Sequence, residues 1–289
     1  MAKRLNIFFL SAEVVPFSKT GGLADVAGSL PKALAQLGHN VVIGTAKHGI
    51  REPEKFRFET IAKKVPVWVD SKKIFCDIEK SWLSEKVPVY FIANSQFFNP
   101  KTAVYGHDDA RRFYLLSKAL LKIPKIIGFE PDIIHCNDWH TGLIPFLLKT
   151  QKKRYSYYKN SATLFTIHNL EYQGDLYWRD LACKTPDDGT SPLPSFSSKK
   201  VKNINFMKRG IIFADAINTV SERYRKEAMS PIFGKGLDGV LRKREKDFYG
   251  ILNGIDYNYF NPKTDKNLVF NYDANSVYLK RKNKIALQK

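Results

Sequence analysis

Three short clusters in this 289-residue chain combine side-chain types that could do chemistry. The first is Lys19-Thr20-Gly21-Gly22, an ammonium followed by two glycines that open an apolar-periodic stretch of helical spacing. Such a turn can cradle phosphate: free N–H groups and the positive end of the helix dipole face the loop, and glycine lets an anion approach the backbone. Lys19 adds a point charge suited to phosphate. The spacing is neither Gly-x-Gly-x-x-Gly nor the Walker pattern, so on spacing alone a solvated lysine beside a tight turn fits equally well. The second cluster, Asp138-Trp139-His140, offers a carboxylate, a stacking ring and an imidazole to a sugar. A helix cap beside a tryptophan packed on a sheet edge has the same composition. The third, His168-Asn169, follows a short apolar run, where a lone histidine is usually a satisfied polar residue. Cys76, Cys136 and Cys183 form no Cys-x-x-Cys, no ligand cluster stands out, and no metal is expected.

Strands and helices must position these clusters. Residues 6–10 are an apolar run of strand length. Leu23, Val26, Ala27, Leu30, Leu34 and Leu37 recur at helical spacing, with Gly38 as a natural stop. Residues 40–46 read as a second buried strand. Residues 56–58, 65–69, 74–78 and 88–92 read as short inserted strands. Asp108 or Asp109 can cap a helix over 110–121. Strand 131–136 turns into helix 143–149, and strand 162–167 ends at His168. A polar loop over 172–200 either covers the site or stays mobile. Helix 205–214, strand 216–220 and helix 221–228, with Ser221 as half a capping box, complete the alternation. The pattern predicts an α/β fold, a doubly wound parallel sheet with helices on both faces and inserted β segments. In such sheets ligands gather at the carboxyl ends of the strands. Glu13 and Lys19 follow the first strand, residues 137–140 a middle one and His168-Asn169 the next, so three loops converge on one rim.

Hydrophobic residues make up 44% and aromatics 13% of the chain, which excludes a disordered protein. No apolar run reaches the ~18 residues of a membrane span. The first strand starts almost at Met1, which leaves no room for a signal or transit peptide, and the odd cysteine count fits a reduced compartment; a cytoplasmic location is expected. The net charge of +19 suits nucleic acid, an anionic surface or phosphorylated ligands. The basic residues are widely spread, with clusters at 199–200, 242–246 and 280–284, and no nucleic-acid motif accompanies them. No specific nucleic-acid partner and no membrane partner are expected.

Read as a string, Ser11-Ala12-Glu13-Val14-Val15-Pro16-Phe17-Ser18-Lys19-Thr20-Gly21-Gly22-Leu23-Ala24-Asp25-Val26 closely resembles the amino-terminal signature of bacterial glycogen synthases and plastid starch synthases. Asn137-Asp138-Trp139-His140-Thr141 and His168-Asn169-Leu170-Glu171-Tyr172-Gln173-Gly174 are similar to two further motifs of that family, in the right order. Tyr105-Gly106 with residues 109–113 resembles its acceptor-side segment, although Arg111 and Arg112 read equally well as solvated helix charges. Residues 233–241 and 250–256 resemble the approach to the interdomain hinge, and 280–288 the lysine-rich helix that opens the second domain. The resemblance implies the Rossmann-like amino-terminal half of a GT-B type glycosyltransferase. It implies retaining transfer of glucose from ADP-glucose to the non-reducing end of α-1,4-glucan, in glycogen biosynthesis, with no metal or cofactor. His168 would be the catalytic residue beside the transferred glucose, its ring donating a hydrogen bond to a sugar hydroxyl and its backbone carbonyl stabilising charge at the anomeric carbon. Lys19, Gly21, Gly22, Glu13, Asp25, Tyr105, Asp138, His140, Asn169 and Gln173 would bind substrate.

The family's enzymes face two Rossmann-like domains across a cleft. Against that pattern the sequence divides into a catalytic domain over 1–250 and, over 251–289, a hinge and the start of a truncated second domain. The adenine and ribose contacts, the diphosphate clamp and an acidic motif of the family have no counterpart in these residues. Little or no transferase activity is therefore expected of the chain alone, with a separately encoded carboxy-terminal domain as the partner that would restore it. Residues after Asp256 are too few to bury a core and are expected to be weakly ordered. The choice between ADP- and UDP-glucose stays open. The alternative is a non-catalytic glucan- or phosphate-binding module.

Overall fold

Alternation within the first strand sorts the two faces of the sheet. In the computed structural model, which describes residues 3–106, 108–174, 186–257 and 259–289, β1 (Asn6–Leu10) is buried on both sides. Phe8 and Leu10 join one hydrophobic cluster, while Ile7 and Phe9 join another. That two-sided burial is why the strand reads as a continuous apolar run.

The elements follow the expected alternation. After β1 come α1 (Gly22–Gln36), β2 (Asn40–Ala46), β3 (Glu59–Val69), β4 (Lys72–Ser84), β5 (Val87–Ala93), α2 (Asp109–Leu120) and a short α3 (Ile123–Ile127). Then come β6 (Ile133–Asn137), α4 (Leu143–Thr150), β7 (Ala162–Ile167), α5 (Phe206–Phe213), β8 (Ala216–Thr219), α6 (Glu222–Ala228), α7 (Asp238–Lys243) and β9 (Phe248–Gly250), with α8 (Lys280–Gln288) near the end. The described residues form one nine-stranded sheet, ordered β3-β4-β5-β2-β1-β6-β7-β8-β9. Strands β5 to β9 in that order are parallel, and β3 and β4 add an antiparallel edge. From β1 the chain winds one way to β2 and later returns on the other side as β6, so the topological switch lies between β1 and β6.

α2, α4 and α5 pack on the face that carries Phe8, and α1 on the face that carries Phe9. Gly142 lets α5 approach: a Cβ there would lie 2.2 Å from the Phe206 carbonyl oxygen. Ser221 caps α6, accepting from the Tyr224 amide at 3.0 Å.

The inserted β region differs from its sequence reading. The segments expected at 65–69 and 74–78 belong to two long strands of 11 and 13 residues. Residues 56–58 form no strand: Phe56 and Phe58 pack on Phe17, and Phe58 also meets Phe91. Their alternation serves a tertiary aromatic cluster and not a sheet pleat. Of the polar loop at 172–200, residues 175–185 lie outside the described residues, and the rest is anchored. Asp187 takes two hydrogen bonds from Arg209, Nε at 2.9 Å and Nη2 at 2.8 Å, and both side chains are buried. Arg209 also lies over the Phe146 ring and donates to the Ser191 carbonyl.

The chain separates into two units, Met1–Leu252 and Asn253–Lys289. No described side chain of the second unit is buried, in keeping with a segment too short to enclose a core.

Removing one partner of a buried ion pair strands the other charge in a low-dielectric site. Asp187→Ala is expected to destabilise the first unit by roughly 3–5 kcal/mol, read from urea unfolding. A midpoint equal to that of the parent chain would show the pair to be dispensable.

Candidate active site

Parallel register brings the loops to one edge. Leu10 pairs with Cys136 and Asn137 with Thr166, so the loops after β1, β6 and β7 leave the sheet side by side at the switch point. Asn137 ties two of them directly, its side-chain amide donating to the Leu10 carbonyl at 3.0 Å.

Glu13 is the junction of the rim. It is buried, and its Oε2 accepts from the amides of Thr20 and Gly21, the latter at 3.3 Å. Its Oε1 accepts from the Tyr105 hydroxyl at 3.2 Å. Burial pushes its carboxyl above the usual range, and the three donors hold it back. Two of the amides expected to cradle phosphate at the start of α1 therefore already hold an internal anion. The room beside the two glycines is open: a Cβ on Gly22 would meet nothing within 4 Å, and one on Gly21 only Glu13 Oε1 at 3.9 Å. Lys19 reaches back to Asp25 at 2.7 Å, so these two expected substrate contacts are paired with each other.

Asp138 and His168 form the second part. Asp138 has φ 55° and ψ 178°, a backbone region that non-glycine residues rarely occupy and that costs about 1–3 kcal/mol. Four bonds hold it there. Its N–H donates to the Thr166 carbonyl at 2.9 Å, and its own carbonyl accepts from the Thr141 amide and hydroxyl. Its Oδ1 accepts from the His168 amide at 3.0 Å. Burial lifts the Asp138 carboxyl to about 7, against the lowering effect of the His168 and Asn169 amides, while nearby Glu13 raises it further. Burial likewise lowers His168 to about 4, so its ring is neutral at pH 7. Asn137 donates through its nitrogen, so its Oδ1 is the acceptor for His168 Nε2–H at 3.0 Å. The neutral ring then presents Nδ1 as an acceptor, whereas the sequence reading expects the ring to donate to a sugar hydroxyl.

His140 sits beneath this rim in an aromatic stack. Its ring lies 5.3 Å from Tyr105, 4.1 Å from Trp139 and 4.8 Å from Phe113, centroid to centroid. Neither ring nitrogen has a hydrogen-bond partner among the described residues, and burial holds it neutral. Tyr105 caps the stack, half exposed, with its hydroxyl pushed well above the ordinary tyrosine range.

Two expected binders face inward or sideways. Gln173 donates to the carbonyls of Leu170 and Lys235 and accepts from Asn205 at 2.7 Å, so its amide bolts the chain after β7 to α5. Asn169 is exposed at the rim, but its Oδ1 accepts from the Glu171 amide at 2.9 Å. Sequence reasoning missed one support. Arg112 is buried, and its guanidinium bonds Asp109 at 2.8 Å, His48 Nδ1 at 2.8 Å and the Ala103 carbonyl at 2.9 Å. His48 passes the connection to the Ala12 carbonyl at 2.7 Å and is lowered to about 4 by burial. This relay fixes the loop after β1 against the loop that carries Tyr105. The only sequence sign of it is Asp109 and Arg112 at i,i+3. Among the described residues no group of three or more His, Cys, Asp or Glu side chains is arranged to hold a metal ion.

The starch synthase catalytic domain family matches residues 6–243. A glycogen synthase of Moorella thermoacetica is 43% identical over 295 residues, covering 100% of this chain and 58% of that protein. One from Thermotoga maritima is 42% identical over 289 residues, covering 98% and 59%. Among solved structures, the catalytic domain of starch synthase IV from Arabidopsis thaliana, bound to ADP and acarbose, superposes with a TM-score of 0.81 at 33% identity, covering 99% of this chain and 59% of that one. The chain thus spans 58–59% of the length of these relatives. With its parallel sheet, its strand-tip rim and its matched segment in agreement, the chain belongs to the starch synthase catalytic domain family and forms the amino-terminal, Rossmann-like half of a GT-B glycosyltransferase fold.

Proposed function

We propose that this chain supplies the glucose- and glucan-facing half of an ADP-glucose-dependent α-1,4-glucan glucosyltransferase of glycogen biosynthesis, acting with retention. The observation that carries the reading is the meeting of Glu13, Tyr105, Asp138 and His168 on one rim at the β1/β6 switch. The Arabidopsis relative bound to ADP favours ADP-glucose as the donor. The remaining adenine and diphosphate contacts fall to a second domain.

The arrangement suits glucosyl transfer. As the bond from the anomeric carbon to the diphosphate breaks, positive charge develops on the sugar and negative charge on the leaving group. A neutral His168 adds no cation beside the developing positive charge, and its backbone is held in place by Asp138. Its carbonyl can therefore be preorganised toward the anomeric carbon. On the other side, Lys19 and the amides at the start of α1 that Glu13 does not take would face the diphosphate. Asp25 pairs with Lys19 in the structure, so the diphosphate would compete with Asp25 for the ammonium. Tyr105, stacked on His140, offers the glucan a flat ring on the acceptor side.

The test grafts this chain in place of the matching segment of the Moorella thermoacetica glycogen synthase and follows glucose incorporation into maltooligosaccharide. His168→Ala and Lys19→Ala in the graft are each expected to lower turnover by about 10²–10³. Unchanged turnover in both would refute the site.

Ionisation gives a second expectation. His48 and His168 are lowered to about 4 and His135 to about 3, and burial is the first cause for each. Their contribution to stability is complete above the unfolded value of 6.5 and is lost as pH falls through it toward 4. Asp138 has the opposite sign. Its folded value of about 7 lies above the ordinary 3.8, so its contribution grows as pH falls through that window. Urea unfolding between pH 8 and pH 4 should show stability falling with acid. The fall should be steeper in Asp138→Asn, which keeps the histidines and loses the opposing carboxyl. Parallel curves for parent and variant would contradict the Asp138 assignment.

A further inference from the structure

Apart from the rim, a cavity of about 410 Å³ lies between α2, the end of α4 and the β3–β4 turn, closed on one side by the strap at residues 190–193. Its size falls within the range of small-molecule pockets. Two cations line it. Lys118 of α2 is 5% exposed, and among the described residues its ammonium has one hydrogen bond, to the Trp68 carbonyl at 3.4 Å, longer than a good N–H···O contact. Arg154 donates to that same carbonyl at 3.2 Å. Neither forms an ion pair with any described residue. Buried ammoniums are almost always paired or neutralised, so Lys118 is an exception.

The other polar groups around the cavity can donate as well as accept. The Tyr114 hydroxyl has no hydrogen-bond partner among the described residues, and its ring lies 4.8 Å from the Lys118 ammonium. Gln151 and Thr190 add an amide and a hydroxyl. The one carboxylate present, Asp70, already accepts through Oδ2 from the Ser195 hydroxyl at 2.8 Å and the Phe196 amide at 2.6 Å. It holds the segment that follows the strap and lies near enough to Lys118 to act on its charge without forming an ion pair with it. The site carries two positive charges against one negative.

We infer that this cavity is a second ligand site that takes a small phosphate monoester, its phosphate on Lys118 and Arg154 and its hydroxyls toward Asp70 and Gln151. A dianion would bring the converging cations a partner, and the Tyr114 hydroxyl would donate the further hydrogen bond that a tetrahedral oxyanion accepts. Burial and the Arg154 charge lower Lys118 to about 8, with Asp70 opposing. Tyr114 is raised to about 12 and remains a donor at neutral pH.

The experiment is calorimetric titration of the chain at pH 7 with glycerol 3-phosphate and, separately, with inorganic phosphate. Lys118→Met keeps the buried stem and removes the charge. Arg154→Gln alters an exposed position and so decides the matter should the first variant not fold. Lys19→Ala controls for anion binding at the start of α1. Binding of glycerol 3-phosphate weakened about tenfold or more in both cavity variants, and unchanged in Lys19→Ala, is the expected result. Tighter binding of the ester than of inorganic phosphate would identify the hydroxyls as part of the recognition. A dissociation constant weaker than about 10 mM for both probes would overturn the inference. So would equal affinity for the two, or binding lost in Lys19→Ala and retained in the cavity variants.

Discussion

A carboxylate removed from water has to be surrounded by donors, and the rim of this sheet is arranged around that requirement at Glu13. Its two oxygens gather the turn before α1 and the loop that carries Tyr105. The same chemistry holds the far side of that loop, where Asp109 receives the Gly106 amide at 2.9 Å and the Arg112 guanidinium. Most of these bonds are local, within 3 to 8 residues, and the one between Glu13 and Tyr105 spans 92 residues and ties the two loops together. The rim is thus a set of loops fastened by charge-assisted hydrogen bonds. The apolar core below supplies their common edge through strand register.

The ionisation pattern follows from the same burial. His48, His135, His140 and His168 are all pushed toward neutrality, while Glu13 and Asp138 are pushed toward protonation. The protein's own charges around the rim are therefore muted, and among the described residues His140 has no partner for either ring nitrogen inside its aromatic stack. What remains to act electrostatically at the rim is a set of oriented backbone groups together with the Lys19 ammonium. The uncommon backbone of Asp138 is in accord with that reading, because its carboxylate fixes the His168 amide and hence the peptide that follows β7.

Much of this was legible in the sequence, for definable reasons. Buried parallel strands announce themselves as unbroken apolar runs, so residues 40–46 and 162–167 were read to the residue. The carboxyl-end rule then placed Glu13, Asp138 and His168 together without any geometry. The extent of β3 and β4 was hidden because half-exposed strands carry Lys63, Lys64, Lys72 and Lys73, whose polarity breaks the apolar signal. Gln173 lay within a recognised motif, yet its amide serves the packing of α5. A motif gives the company a side chain keeps in sequence; the direction it points depends on Asn205 and Lys235, 32 and 62 residues away. The Asp187–Arg209 and His48–Arg112 pairs were invisible for the same reason. Each is a long-range bond between residue types that, one at a time, read as solvated surface.

The basic character of the chain gains a different meaning once the pairs are located. Many of its cations face solvent, such as Lys3 and Arg223 with side chains 80% and 89% exposed, and pairs of that kind contribute little. The informative ones are buried. Arg209 and Arg112 have carboxylates at 2.8 Å, and each joins a loop to a helix. Lys118 is equally enclosed, and among the described residues it meets a shared carbonyl and the Tyr114 ring but no paired carboxylate. Burial without a counter-charge is unfavourable on folding, and Arg209 shows that this fold can place an aspartate against a buried cation. Among the described residues Lys118 has no such carboxylate, which distinguishes its cavity from the ion pairs of Arg209 and Arg112.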